Sequence, residues 1–387
     1  MKILIYLSII TLTFSLSNCM QKSEQDILHD KLCAFASMNA DKIKEILESR
    51  ETFDINYKCS NNDTPLHIAV KTGQVKIIDL ILNYNIKSWY NFFGLGLYYP
   101  ADINVQNNQG NTPLHEAAKA TTIKFVTSAQ HLLDNSHHDI DVNIKNNEEN
   151  TALHVLVKSF FERKKSQSQE LIDKKIKLIN KLIEKGAQID LKDKTGNTAL
   201  HLALKTCNVE MLDTLVRGMQ NQRMCINLNV QNNNDETPLH IAARYCKVNA
   251  KDIVNLLLNY GADVNIYNIL SLRPLDVAIL KDNKEVVEAI LYNQGQVSNL
   301  NINEQIGENI TIEKEYKHIF SGGETALHLA TYIGNQYIIN LLLNAGIDRT
   351  IRNNEGLTAE DITKKKHSYL IHSLQSFSAT LPALSSK

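Results

Sequence analysis

Apolar and polar residues alternate along this chain with the spacing of short amphipathic helices. In IVNLLLNYGADVN, from Ile253 to Asn265, the large apolar residues recur at helical spacing, which predicts one buried helical face. Gly261 follows them, where a helix commonly ends in a left-handed residue. The Asp- and Asn-rich stretch that comes next predicts a tight, hairpin-like finger. The pattern therefore predicts short helices joined by polar fingers.

A second, shorter apolar motif recurs along the chain and marks the start of each repeat unit. Its anchors are Thr64, Thr112, Thr151, Thr198, Thr237, Arg273, Thr325 and Thr358, at spacings of 33 to 52 residues. Thr before Pro favours a helix start, because the hydroxyl caps free backbone N–H groups and Pro is tolerated at the first helical position. His three residues after the cap can reach back to it. Small residues follow (Ala69, Ala117, Ala203, Ala242) and let neighbouring helices approach closely.

A two-helix unit of this kind cannot bury both of its apolar sides alone, so the units are expected to stack. TPLHIA, TPLHEA, TALHVL and TALHLA, each completed by a run such as LLNYGADVN, resemble the ankyrin repeat. The resemblance covers about 26–377, with RPLDVA and LTAEDI as weaker copies. It implies an all-α solenoid of stacked helix-turn-helix units with finger loops. We expect about nine units over 27–377, an N-terminal cap at 27–56 and a disordered tail at 378–387.

Three insertions interrupt the repeat. The first, 85–100, contains Trp89, Phe92, Phe93, Tyr98 and Tyr99. This aromatic loop is either a binding hot spot, for a protein or for a membrane surface, or a small satellite core on the side of the scaffold. The second, 160–175, is expected mostly to lengthen the two helices of its repeat, and the third, 296–323, to replace a finger by a projecting segment.

The N-terminus has the pattern of an export signal. Lys2 precedes the apolar run Ile3 to Leu16, which is shorter than the roughly 20 residues of a membrane span. We expect a signal peptide over 1–19 and a linker over 20–26. LSNC resembles a bacterial lipoprotein cleavage box, which would attach lipid to Cys19, although Asn18 departs from that pattern. Export would give a lipid-anchored, secreted or periplasmic protein. The alternatives are unlipidated cleavage, an uncleaved anchor, or a cytosolic chain.

Charge and cysteine content narrow the function classes. The 41 basic and 42 acidic residues nearly cancel, which argues against nucleic-acid binding. After Cys19, the other five cysteines show no CxxC spacing, and Cys207 and Cys246 are expected to fill the same small buried slot in their repeats. No HExxH, P-loop or GxGxxG motif is present. The repeated histidines are spaced too far apart for one metal site. We expect no catalytic residue, metal or cofactor.

The resemblance implies a surface, formed by fingers and first helices, that binds another protein. The positions expected to face a partner are Lys71, Glu116, Lys119, Lys158, Lys194, Lys205, Arg244, Tyr245 and Tyr332, together with the aromatic insertion. We expect a monomeric protein-binding scaffold, and export would make a host protein an accessible partner. The rival interpretations are an enzyme or small-molecule binder with an insertion-built pocket, and a cytosolic adaptor.

Overall fold

The described residues of the computed structural model are helical and contain no strand. They are 24–37, 39–48, 54–84, 101–134, 139–161, 167–221, 227–293, 300–307 and 322–366. They form two compact units, the first ending at Ala187 and the second beginning at Gln188, apart from a short stretch after Ser159 that groups with the second. Within these ranges no helix has the length and hydropathy needed to cross a bilayer.

The described residues of the first unit contain four pairs of helices. They are α1 (Glu24–Phe35), α2 (Ala40–Glu48), α3 (Pro65–Thr72), α4 (Val75–Leu82), α5 (Pro113–Ala118), α6 (Ile123–Asp134), α7 (Ala152–Lys158) and α8 (Gln169–Glu184). A short 3-10 turn, Ser60–Asn62, lies in the finger before α3. Helices α1 and α2 confirm the two helical runs predicted for the N-terminal cap, and α1 begins at Glu24, within the predicted linker 20–26.

The second unit continues the same alternation. Its helices are α9 (Ala199–Leu204), α10 (Val209–Asn221), α11 (Pro238–Tyr245), α12 (Ala250–Asn259), α13 (Pro274–Leu280), α14 (Lys284–Tyr292), α15 (Ala326–Ile333), α16 (Gln336–Asn344) and α17 (Ala359–Lys366). Gly261, just beyond α12, has a φ of 88°, which confirms the predicted left-handed helix end.

Where a repeat carries the Thr anchor, its first helix begins directly after that residue, as the sequence predicts. At α3 the Thr64 hydroxyl accepts from the His67 backbone N–H, and the His67 ring accepts from the Thr64 N–H. The same reciprocal cap occurs at Thr112, Thr151, Thr198, Thr237 and Thr325. Two backbone donors are satisfied in each cap, so every first helix starts at a defined residue.

Within each unit, the first helices of neighbouring repeats pack on each other, and so do the second helices. In the first unit α3 packs on α5 and α5 on α7, while α4 packs on α6 and α6 on α8. In the second unit α9, α11, α13, α15 and α17 form one row, and α10, α12, α14 and α16 form the other. The alanines that follow the histidines are fully buried between first helices. The core is therefore a series of interfaces between repeats rather than one central cluster.

The fingers are tight turns that touch their neighbours. In the second finger, Gly110 N–H donates to Asn107 O and Asn107 N–H donates to Asn111 O. Successive fingers are joined by single backbone bonds, such as Asn147 N–H to Gln109 O and Asn233 N–H to Thr195 O.

A disulfide joins Cys33 in α1 to Cys59 in the finger before α3. No spacing signal in the sequence predicts this pair, whose members are 26 residues apart. Beside it, the His29 ring stacks on Tyr57 with centroids 4.2 Å apart, and His29 Nε2 accepts from the Asp54 N–H. The disulfide therefore links the N-terminal cap covalently to the first finger.

The insertions differ from expectation in two respects. The second one lengthens α8 to 16 residues, but α7 ends at Lys158 and is not extended. Lys175 of this insertion is fully buried and its ammonium donates to Ser159 O and Gln167 Oε1. The third insertion does not replace its finger. Ile306 N–H donates to Glu324 O and Gly323 N–H donates to Ile306 O, so both arms of the finger are present.

Candidate functional site

The repeated histidines stiffen the face made by fingers and first helices. His201 Nδ1 accepts from the Thr198 N–H at 3.3 Å, so its Nε2 carries the proton and donates to Glu236 O of the next repeat at 3.0 Å. His240 reaches Leu272 O in the same way at 2.9 Å. The sequence predicted the cap but missed this bridge, because the acceptor lies in another repeat.

Burial keeps these rings neutral. It lowers the pKa of His201 and of His240 to about 4, against the opposing effect of their backbone hydrogen bonds. Burial also lowers the pKa of His67, His115 and His328. The histidines are therefore structural groups that position the fingers, and none of these is available for ligand chemistry.

In the first unit, the predicted partner-facing residues are occupied by contacts within the chain. Lys71 Nζ lies 2.6 Å from Asp63 Oδ2, Lys119 Nζ 2.6 Å from Glu116 Oε2, and Lys158 Nζ donates to Asn150 Oδ1 at 2.7 Å. All three lysines are half-buried.

Glu116, which the register predicts to face a partner, is buried within the chain. Its residue is only 1% exposed, and its two oxygens accept from Asn111 Nδ2 and Lys119 Nζ. Burial alone would raise the pKa of Glu116, but Lys119, Asn111 and Lys71 together hold that pKa below its ordinary value. A carboxylate at this position is useful inside the chain because it anchors lysines of two repeats.

In the second unit, three predicted residues come together around one pocket. Lys194 from a finger, Lys205 from the end of α9 and Tyr245 from the end of α11 line a pocket of about 390 Å³. Tyr245 is 47% exposed, and Lys205 Nζ lies 5.9 Å from its ring centroid.

The remaining walls of the pocket were not predicted. They are Thr195, Asn197, Asn232, Asn233, Asn234, Glu236 and Ile241. Glu236 is buried and ion-paired with Arg244, whose side chain is itself only 12% exposed. The sequence signal for Glu236 is its position directly before Thr237, the same register as Asp63 before Thr64.

Tyr332 lies apart from the pocket, near the C-terminal end of the second unit. Its ring is half-buried, with Lys366 Nζ 4.3 Å from the centroid. Burial, with the charges of Glu324 and Glu355, raises the pKa of Tyr332 to about 12. The phenol is therefore a neutral hydrogen-bonding group at physiological pH.

Some predicted sites lie outside the described residues. These are Cys19 with the signal segment, the aromatic insertion with Trp89, Phe92, Phe93, Tyr98 and Tyr99, and the C-terminal tail. In the described ranges no group of three His, Cys, Asp or Glu side chains could hold a metal ion.

The two free cysteines of the second unit are neighbours with different exposure. Cys246 is fully buried as predicted, but Cys207 is only half-buried and has a positive φ of 55°. Both sulphurs contact Leu204 O, at 3.0 Å from Cys246 and 3.7 Å from Cys207. A hydrogen bond from Cys246 lowers the pKa of the Cys207 thiol, and the same contact, with burial, raises the pKa of Cys246.

Comparison with protein families identifies the repeat. The family description "Ankyrin repeats (3 copies)" matches residues 170–268, and "Ankyrin repeat" matches 61–88, 109–147 and 322–354. Together these matches cover just over half of the 387 residues. The chain belongs to the ankyrin repeat family. The stacked helix pairs, the fingers and the Thr–His caps are thus the elements of an ankyrin array, an architecture whose extended face suits protein interaction.

Individual relatives match only parts of this ankyrin array. The putative ankyrin repeat protein FPV031 of Fowlpox virus is 39% identical over 122 residues, 30% of this chain and 33% of the viral protein. NF-kappa-B inhibitor zeta of Bos taurus is 36% identical over 103 residues, 26% of this chain and 14% of the inhibitor. The chain spans about a third or less of the length of these relatives.

A solved structure shares part of the arrangement. The crystal structure of the ankyrin repeat domain of Bcl-3 covers 64% of this chain and 93% of its own, with 22% identity and a TM-score of 0.49. This similarity is too low to add to the family assignment.

Proposed function

We propose that this chain is a protein-interaction scaffold that binds a partner protein through the finger-and-helix face of its ankyrin repeats. The observation that supports this best is the pocket of the second unit, where Tyr245 is 47% exposed and Lys194 and Lys205 stand beside it. Tyr is one of the residue types that are enriched at the hot spots of protein interfaces. The rigid caps and histidine bridges hold this face in place, so little ordering entropy is lost on binding.

Photocrosslinking at two matched tyrosines tests the binding face. Tyr245 and Tyr337 belong to the same unit and are 47% and 48% exposed, but Tyr337 lies on a second helix, α16. Each is replaced by benzoylphenylalanine, and the protein is irradiated in its native extract. We expect a discrete protein adduct from position 245 and none from position 337. Adducts from position 337 alone would place binding on the other face and refute the proposal.

We further propose that the chain is exported and that Cys19 receives lipid at the LSNC box. Two observations support export: the charged start followed by the apolar run 3–16, and the disulfide between Cys33 and Cys59. Disulfides persist in oxidising compartments and are rare in the cytosol. More than one acyl chain on Cys19 would give lasting membrane attachment. Export would bring the scaffold to partners outside the cytosol, host proteins included.

Mass spectrometry of the native protein tests export and lipidation separately. We expect a mature chain that begins at Cys19 with the added mass of acyl chains, and a Cys33–Cys59 bond in the unreduced digest. A mature N-terminus near Cys19 without added mass would refute lipidation but retain export. An intact Met1 in the soluble cytosolic fraction, with Cys33 and Cys59 both reduced, would refute export.

A further inference from the structure

The position seven residues after the capping Thr carries a basic side chain in five successive repeats. The five residues are Lys71, Lys119, Lys158, Lys205 and Arg244. Each lies at the C-terminal end of a first helix. The group that neutralises each cation therefore decides whether its charge is available to a partner.

Two of these cations are neutralised by carboxylates of the first unit. Lys71 Nζ lies 2.6 Å from Asp63 Oδ2 and 3.9 Å from Glu116 Oε2, and Lys119 Nζ lies 2.6 Å from Glu116 Oε2. Both carboxylates are buried, at 7% and 1% exposure. Separating such a pair is energetically unfavourable, because the buried carboxylate would be left without its counter-charge.

Two more of the five are also held within the chain. Arg244 forms an ion pair with the buried Glu236. The Lys158 ammonium donates to Asn150 Oδ1 at 2.7 Å. In both cases the acceptor is the side chain directly before the capping Thr of the same repeat.

Lys205 differs because the side chain before its capping Thr is Asn197, which is already oriented by other bonds. Asn197 Oδ1 accepts from Asn232 Nδ2 at 2.9 Å, and its Nδ2 donates to Thr195 Oγ1 at 2.7 Å. Asn197 Nδ2 is a donor only, so it cannot accept a hydrogen bond from the Lys205 ammonium. Among the described residues, Lys205 forms no ion pair, and its ammonium lies over the ring of Tyr245.

The first repeat shows what Asn197 changes. There Asp63 Oδ1 accepts from Asn107 Nδ2 at 2.8 Å, the counterpart of the bond to Asn197 Oδ1, and Asp63 Oδ2 accepts from Lys71. One side-chain atom separates the two arrangements: the oxygen that neutralises Lys71 is a nitrogen in Asn197. The charge of Lys205 is therefore left for an acceptor outside the chain.

The pocket around Lys205 has the charge and size to receive such an acceptor. Its volume is about 390 Å³, and Lys194 stands on its rim. Glu236 also lines it, but Arg244 offsets that charge. An entering carboxylate would meet a net positive pocket with the exposed ring of Tyr245 at its side.

We propose that this pocket binds an Asp or Glu side chain of the partner protein. The carboxylate accepts a charge-assisted hydrogen bond from Lys205, and Tyr245 packs against the partner residue next to it. The inference rests on the proposed scaffold function, and it adds the chemistry of the partner segment: acidic and extended enough to enter the pocket. An acidic residue there supplies the counter-charge that Asp63 and Glu236 supply within the other repeats.

Selection from a random dodecapeptide library on the purified mature chain tests the proposal. We expect selected peptides to be enriched in Asp and Glu at one position. A selected peptide should bind about tenfold or more weaker when that residue is changed to its amide, or when the protein carries Lys205→Met. Lys71→Met is the matched control, since Lys71 occupies the same register but is already neutralised, and it should change the affinity less than twofold.

Asn197→Asp is the sharpest variant, because it copies the first repeat and introduces no change of size. It should pair Lys205 internally and weaken the acidic peptide as much as Lys205→Met does. Lys205→Glu should reverse the preference, so that binding is restored by Lys in place of the acidic peptide residue. Circular dichroism of each variant confirms that it remains folded.

Three results would overturn the inference. Selected peptides without an acidic preference, or affinities that ignore both Lys205→Met and Asn197→Asp, would remove it while the scaffold function stands. Inorganic phosphate that saturates the pocket and binds as tightly as the peptides would reassign it to a small anion. No selected peptide, together with no crosslink from position 245, would refute the scaffold function itself.

Discussion

Acid should destabilise the second unit through its buried histidines, and His201 gives the clearest case. Its Nδ1 accepts from Thr198 N–H and its Nε2–H donates to Glu236 O, so a second proton would set two donors against each other. The ring is fully buried, which adds the cost of a desolvated charge. His240 has the same arrangement, with Leu272 O as the acceptor in the next repeat.

The magnitude follows from linkage. The pKa of His201 falls from 6.5 to about 4 in the folded chain, so the unfolded chain binds the extra proton more readily. The stabilisation is complete above pH 6.5 and is lost as the pH falls toward the folded value. Between pH 8 and pH 5 the loss is about 2 kcal/mol for His201, and about the same for His240, at 1.36 kcal/mol per pKa unit.

Hydrogen exchange is the suitable assay, because an array of repeats need not unfold in one step. The opening free energies of α9 and α11 are measured at several pH values, with correction for the intrinsic exchange rate. The control variant His201→Gln keeps an acceptor for the Thr198 N–H but does not titrate. It should reduce the pH-dependent loss in this unit by about 2 kcal/mol.

Two results would refute this reasoning. One is an NMR titration in which the folded chain shows His201 with a midpoint near its ordinary value. The other is an unchanged pH dependence in His201→Gln. Either would mean that the ring is hydrated or that its bridge to the next repeat is not formed.

Three further predictions concern stability and reactivity. At α13 the buried ion pair of Arg273 and Asp276 stands where the other repeats have Thr and His. Asp276→Asn should lower the free energy of unfolding, measured in urea, by about 3–5 kcal/mol, because Arg273 would be left buried without its counter-charge. The double change of Arg273 to Thr and Asp276 to His should recover most of that loss, and equal losses in both variants would contradict the reasoning. Cys33→Ser removes a disulfide between residues 26 apart and should lower the free energy of unfolding by about 3 kcal/mol relative to the unmodified chain under oxidising conditions. Under reducing conditions the two chains should be equally stable. Cys207 should react with iodoacetamide well before Cys246 in timed mass spectrometry, because it is more exposed and its pKa is lowered; the opposite order would show that the loop opens.

The sequence predicted part of the candidate site through register. Lys205 and Tyr245 stand at fixed distances from the caps Thr198 and Thr237, and a repeated unit places equal positions on the same face. Glu116, four residues after the cap Thr112, is predicted to lie on the same face, but it is buried and its carboxylate lies against Lys71 and Lys119. Register places these cations on one face, but it does not show which of them form ion pairs with carboxylates of the chain.

The sequence by itself determined what depends on neighbours along the chain: the Thr–His cap three residues apart, the helix end at Gly261 and the period that requires stacking. These features need only local geometry, which is the same in every copy. The tertiary structure decided the contacts between distant residues. These include the bridge from His201 to Glu236, the Cys33–Cys59 bond and the isolation of Lys205 beside Asn197. Such contacts depend on which side chains the stack brings together, and no spacing along the chain encodes that distance.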